Sequence, residues 1–272
     1  MLRSRVLVVV VLLPIGLAII YLGGWAFAAF VALVLGLAGW EYARLFRAGG
    51  SHPAEVLVIA GAVLFPLARK LDGFESAPWI ISLLILASMT YHLVDYERGR
   101  EQAGTDFALT LAGALYLGWL GAYLVSLREL PGGAWWLLLA LPGVWLADSG
   151  AYFVGRAIGR HKLSPRLSPK KTWEGYLGGI LVGILGTMGL VYLWRFWAGP
   201  GFNISPVQGA LLGLLLGVLP TLGDLGESML KRQAGTKDSG NLLPGHGGVF
   251  DRIDSWLWAA VIGYYYILWV VG

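Results

Sequence analysis

Residues 175–194 read GYLGGILVGILGTMGLVYLW, twenty consecutive positions without a charged side chain. At 1.5 Å per residue, a helix of that length spans the ~30 Å hydrocarbon core of a bilayer. Apolar residues here do not alternate with polar ones, as they would in a barrel strand facing lipid on one side. Lipid admits only helices and closed barrels, because every backbone polar group must find its partner within the protein. The stretch is therefore predicted as a transmembrane helix, within a wider span at 173–197.

Outward from it lie eight further stretches of the same kind, at 5–22, 24–42, 54–70, 78–94, 105–127, 133–153, 206–226 and 250–271. The third and fourth are the weakest, since Arg69 and Lys70 shorten one and Ser76 to Pro78 open the other. The predicted fold class is an all-α polytopic membrane protein of about nine transmembrane helices. It reads as one integral-membrane domain over 1–272, with 1–130 mainly scaffold spans and the chemistry in helices and loops of 140–255. Composition agrees. Of 272 residues, 57% are hydrophobic and 13% charged, and mean hydropathy is +0.69. A soluble domain carries about a quarter charged residues, so a water-soluble fold is excluded. Cysteine is absent, which removes disulfides, thiolate metal sites and cysteine nucleophiles. The net charge is +4 and no basic domain stands apart from the spans, so nucleic acid is not an expected partner. Basic loops in such a chain set topology and attract anionic membrane lipids. Arg3 and Arg5 precede the first apolar run without a small-x-small cleavage site after it, so that run is expected to be a retained span.

Lysine and arginine set the orientation. With the N-terminus cytoplasmic, sixteen of the twenty basic residues fall inside: Arg3, Arg5, Arg44, Arg47, Arg98 and Arg100, then six in the 6–7 loop and four in the 8–9 loop. Only Arg69, Lys70, Arg128 and Arg195 fall outside. This split predicts an N-terminus inside and a C-terminus in the periplasm. Glycines recur four apart, at Gly175, Gly179 and Gly183 and at Gly209, Gly213 and Gly217. Such spacing lets helix backbones approach closely in lipid. Packing within the chain is the plain use of it, and a homodimer is a second.

Polar residues concentrate in three places. Asp148 interrupts an apolar run near the cytoplasmic end of span six, with Tyr152 one turn on. An ionisable group there marks function by default, against the simpler reading of an aspartate that aids helix packing. Next, Arg160 to Gly175 carries two Ser-Pro turns, a dense set of cations and Thr172 at the start of span seven. Cations, hydroxyls and a helix N-terminus form a phosphate cradle, where the plainer reading is a loop that only sets topology. The third runs from Gly223 through Asp224, Glu227, Ser228, Lys231 and Arg232 to Lys237 and Asp238. It continues through His246, Gly247 and Gly248 to Asp251, Arg252 and Asp254. Asp224 and Ser228 share a helix face at i, i+4, and Asp251 and Asp254 sit i, i+3 at the start of span nine. Carboxylates at helix ends suit a hard divalent cation, lysine and arginine neutralise phosphate, and glycines let backbone N–H groups reach a polyphosphate. Together these suit transfer at phosphorus, which is mostly positioning and charge neutralisation. Helix-capping aspartates on a solvated loop are the plainer alternative.

Residues Ser228 to Asp254 fit throughout a 27-residue pattern of Ser, Lys-Arg, Lys-Asp, His-Gly-Gly and Asp-Arg-x-Asp at fixed spacing. In this the chain resembles the phosphatidate cytidylyltransferases, and Ser168-Pro169-Lys170-Lys171-Thr172-Trp173-Glu174-Gly175 resembles a second block of that family. The resemblance implies that CTP and phosphatidate give CDP-diacylglycerol and pyrophosphate, with Mg2+ as cofactor and room for a second cation. It implies Asp224 and Asp251 as leading magnesium ligands, with Asp254 and Asp148 next. Lys231, Arg232, Lys237 and Arg252 would hold phosphates, and Ser228 would join Asp224. His246, Gly247 and Gly248 would shape the nucleotide loop, and Ser168, Lys170, Lys171 and Thr172 a second wall. The site is expected to face the cytoplasm and open to the inner leaflet of a bacterial inner membrane. Two other readings are an ion-coupled transporter with Asp148 and Asp224 as relay groups, and a CTP-dependent polyprenol kinase. Clustering at one membrane face weighs against the first, and the complete pattern against the second.

Overall fold

The computed structural model describes residues 2–199, 201–242, 245 and 247–272, with the backbone alone for 2–9, 11 and 12. Leu243, Pro244 and His246 of the 8–9 loop lie outside the described residues, so the expectation for His246 has no structural counterpart here. Nine helices run through the described residues. They are α1 (Leu2–Leu22), α2 (Gly24–Ala48), α3 (Glu55–Asp72), α4 (Ala77–Glu97), α5 (Ala103–Glu129), α6 (Gly133–Ile158), α7 (Trp173–Trp194), α8 (Pro206–Gln233) and α9 (Phe250–Val271). Seven of them, α2 and α4 to α9, are long and apolar enough to cross a membrane. The chain is an integral membrane protein with several apolar spans. Every stretch expected from the sequence is helical, and most helices run a few residues beyond the apolar run that betrayed them.

Among the described residues a small antiparallel hairpin stands apart from the helices, β1 (Lys162–Ser164) and β2 (Ser168–Thr172), in which Lys162 pairs with Thr172 and Ser164 with Ser168. Of the two Ser-Pro turns read from the sequence, Ser164-Pro165 leads into the hairpin's turn, whereas Ser168-Pro169 lies in β2. Proline lacks the N–H a central strand needs, and a two-stranded ribbon has only edges, so it is tolerated there.

The chain divides into two compact units. The first is 1–126 with 230–253, and the second 127–229 with 254–272. In the first, α2 lies on α3 through small residues. A Cβ on Gly39 would stand 3.4 Å from Ala62 and Val58, and Gly118 of α5 sits on the backbone carbonyl of Gly61. That close approach falls in a π-helical turn, Ala114–Trp119. Arg69, which shortened the third span on paper, is buried at 5% exposure. Its guanidinium lies over the rings of Phe74, Trp119 and Tyr123 at 3.6, 4.8 and 4.9 Å and donates to Ser126 Oγ at 2.6 Å. Aromatic faces and the Ser126 hydroxyl are among the partners that receive the charge, and α3 continues past it to Asp72.

In the second unit α7 packs between α6 and α8 along its glycines. Gly179 faces Ala147 and Ala151, Gly183 faces the backbone of Gly213 and Gly217, and Gly217 would place a Cβ 2.9 Å from Ile180 Cα. The four-residue glycine spacing therefore serves backbone-to-backbone packing within the chain. Ser205 and Gln208 form a capping box at the start of α8, with Pro206 at the first helical position. Helical geometry is interrupted at Leu219 because Pro220 has no N–H to donate, and the rest of α8 carries Asp224, Ser228 and Lys231.

Candidate active site

In the second unit, three elements bring charge together. Thr172 ends β2 and caps α7, its Oγ1 accepting from Gly175 N at 3.2 Å. Glu174 reaches back to accept from the backbone N–H of Arg160 at 3.0 Å and of His161 at 3.2 Å, which ties the hairpin to the helix start. Lys171 is thereby fixed beside α8, and its Nζ lies 2.5 Å from Asp224 Oδ2. Ser228 Oγ, one turn on from Asp224, is 3.5 Å from Oδ1, as the i, i+4 spacing predicts. Asp148 of α6 is exposed and within electrostatic reach of both, attracted by Lys171 and repelled by Asp224. Lys170, adjacent to Lys171 on a strand, is exposed. Ser168 is half-buried and Thr172 buried.

A Cβ on Gly223 would lie 2.5 Å from Trp258 Cδ1 and 2.9 Å from Asp254 O, so α8 and α9 touch here only because position 223 is glycine. Asp254 is buried at 8% exposure, with Oδ1 accepting from Ser255 N at 2.7 Å.

In the first unit, the end of α8 and the start of α9 enclose the other ion pair. Lys231 Nζ lies 2.6 Å from Asp251 Oδ1, with the two side chains 12% and 7% exposed. Asp251 Oδ2 accepts from Ser239 N at 3.0 Å, Ser239 Oγ at 2.9 Å and Gly248 N at 2.9 Å. Gly247 has φ 86°, and a Cβ there would press on Asp251 Oδ2 at 2.8 Å. Arg232 donates to Thr236 O at 3.1 Å, while Lys237 and Arg252 are exposed. Sequence reasoning missed Glu41 of α2. It is buried at 1% exposure and accepts from Phe250 N at 2.9 Å, with Ser239 Oγ at 3.3 Å. The signal was present, since Glu41 is an ionisable residue inside an apolar run, the same feature that singled out Asp148.

Among the described residues, no group of three or more histidines and carboxylates is gathered to hold a metal. The pair Asp148 and Asp224 nevertheless fits a magnesium ion. Both are hard oxygen donors, they repel one another, and an ammonium already sits where positive charge is favoured. One or two carboxylates suffice for magnesium when phosphate oxygens and water complete the shell. Asp251 differs, because four hydrogen bonds already occupy its two oxygens.

Basic side chains thus lie against carboxylates in both units of this integral membrane protein. Residues 3–270 match the cytidylyltransferase family. The chain is 38% identical over 276 residues to the phosphatidate cytidylyltransferase of Pseudomonas aeruginosa, covering 100% of this chain and 98% of that one. It is 34% identical over 310 residues to the phosphatidate cytidylyltransferase of Synechocystis sp., covering 97% and 96%. It is also 42% identical to the Bacillus subtilis protein of that name over 158 residues, 58% of this chain and 56% of that one. The chain belongs to the phosphatidate cytidylyltransferase family, whose members are nucleotidyltransferases.

Proposed function

We propose that the chain transfers the cytidylyl group of CTP to phosphatidate, giving CDP-diacylglycerol and pyrophosphate. The observation that carries this is full-length family membership, joined to two lysine–aspartate pairs, Lys171 with Asp224 and Lys231 with Asp251. A phosphate oxygen of the lipid forms a bond to the α-phosphorus of CTP. The bond from that phosphorus to the bridging oxygen breaks, and its electron pair leaves with pyrophosphate. The attacking oxygen is already anionic, so no strong base is required, and the obstacle is repulsion between two anions. Lys171, Lys231, Arg232, Lys237 and Arg252 are suited to lower it.

Asp224 and Asp148 are the residues we propose for magnesium, with Asp254 and Asp251 as the further carboxylates of the signature. When bound, the ion would supply charge that screens the two phosphates and the departing pyrophosphate. Asp251 is better suited to organising the 239–248 loop, whose backbone it holds. That glycine-rich loop would serve the triphosphate, and Lys170, Lys171 and Thr172 the lipid phosphate at headgroup depth.

The topology we propose has nine spans, with the N-terminus in the cytoplasm and the C-terminus in the periplasm of a bacterial inner membrane. The charge split supports it, and it puts both basic loops on the side where CTP is found. A cysteine introduced at Lys237 is then protected from an impermeant reagent in intact cells, and one at Gly272 is labelled. For the reaction, purified protein in mixed micelles should release pyrophosphate from CTP only when phosphatidate and magnesium are both present, in step with CDP-diacylglycerol. Pyrophosphate release without a lipid product would sink the proposal.

A further inference from the structure

The apolar run of α2 carries one carboxylate deep in its length, Glu41, and nothing in the signature accounts for it. Its Oε2 accepts from Phe250 N, in the first turn of α9, and lies 3.3 Å from Ser239 Oγ. Its Oε1 is buried without a hydrogen-bond partner. The carboxylate also fills the space beside two glycines of the loop. A Cβ on Gly240 would stand 2.5 Å from Oε1 and 2.8 Å from Cδ, and one on Gly248 would collide with Oε2 and with Ser239 Oγ. Neither glycine has a positive φ. The backbone conformation therefore does not demand glycine at 240 or 248. The Glu41 side chain does at 240, and at 248 it does so together with Ser239 Oγ.

The same Ser239 reaches Asp251, its N–H and hydroxyl lying 3.0 and 2.9 Å from Oδ2. Glu41 thus touches both ends of the 239–250 segment and shares a hydroxyl with the aspartate that organises it. We propose that Glu41 is a positioning residue for this loop, a clamp supplied by α2 from outside the signature. An acceptor is needed there because the first N–H groups of a helix have no partner within it, and negative charge suits a helix N-terminus. An apolar residue at 41 would leave Phe250 N–H buried and unmade. The contacts define the clamp, whereas its kinetic consequence rests on the reading that this loop serves CTP.

The test uses the full-length protein in micelles, with hydrogen exchange of loop amides and kinetics with each substrate varied in turn. Glu41→Ala should speed exchange across 239–250 by roughly 10-fold or more, since local opening sets the rate, while α6 and α7 keep theirs. It should raise KM for CTP by roughly 10-fold and that for phosphatidate by less than about 2-fold, with a smaller change in kcat. Glu41→Gln should recover most of both effects, because an amide oxygen accepts the same two hydrogen bonds. Gly240→Ala should loosen the same amides in the parent chain, yet add little in the Glu41→Ala background, where the colliding atoms are gone. If Glu41→Ala fails to fold, Glu41→Gln and Gly240→Ala carry the test alone. Unchanged loop exchange in Gly240→Ala and Glu41→Ala, or penalties that multiply in the double variant, would overturn the clamp. Faster loop exchange with KM moving for phosphatidate instead would leave the clamp standing and remove the assignment of the loop to CTP.

Discussion

Asp224 and Asp251 look alike in the sequence, each an aspartate near a helix end within reach of a lysine, and their surroundings differ. Asp224 is 38% exposed, paired with Lys171 and met weakly by Ser228. Asp251 is 7% exposed and holds Lys231 on one oxygen and three donors from the 239–248 loop on the other. A carboxylate that has given its lone pairs to the backbone stabilises a loop. One that keeps them exposed is free to meet a cation or a substrate.

The sharpest way to break this contrast is to neutralise each aspartate and read rate and stability together. Asp224→Asn is expected to lower turnover by roughly a thousandfold or more, about 4 kcal/mol of transition-state stabilisation. The thermal midpoint should stay within about 2 °C, because an exposed ion pair contributes only ~0–1 kcal/mol to stability. A stability loss as large as the rate loss would make Asp224 structural. Asp251→Ala, by contrast, breaks a buried ion pair and removes the acceptor of three loop donors, and breaking such a pair costs about 3–5 kcal/mol. Its thermal midpoint should fall clearly and 239–248 should become sensitive to protease. A full-length Asp251→Ala protein as stable as the parent would erase the distinction.

Smaller effects sharpen it. Lys237→Ala should raise KM for CTP more than that for phosphatidate, and Lys171→Ala the reverse, each by about 10-fold, or ~1.4 kcal/mol. Kinetics in mixed micelles decide this, and equal weakening of both substrates by both variants would replace two walls by one shared set of cations. Least affected should be Ser228→Ala. A contact of 3.5 Å is at the edge of hydrogen bonding, so a rate loss of a few-fold, about 0.5–1 kcal/mol, is expected from initial rates.

Much of this was legible beforehand because the physics was local. Continuous apolar runs gave all nine helices. Thr172 is expected at the start of α7 and is found there, and the i, i+4 spacing puts Ser228 beside Asp224. The glycines four apart were expected at helix contacts and are found there. What stayed hidden depended on residues far apart in the chain. The hairpin at 162–172 escaped because two such short strands, one of them opening on Ser-Pro, have no periodic signature. Arg69 was taken for the end of a span because the rings that receive it come from Phe74, Trp119 and Tyr123.

Glu41 carries the same sequence signal as Asp148, an ionisable group inside an apolar run, but its contacts with Phe250 and Ser239 are visible only in three dimensions. The sequence alone determined that the chain is a bundle of membrane helices and which family signature it carries, because hydropathy and fixed spacing act over one or a few turns. Only the tertiary structure decided how the carboxylates divide their work. The hydrogen bonds that saturate Asp251 and leave Asp224 exposed depend on a hairpin lysine 53 positions away in one case and on the loop around Ser239 in the other. The glycine at 240 is likewise explained only by a side chain some two hundred residues earlier, since steric exclusion is a property of neighbours in space.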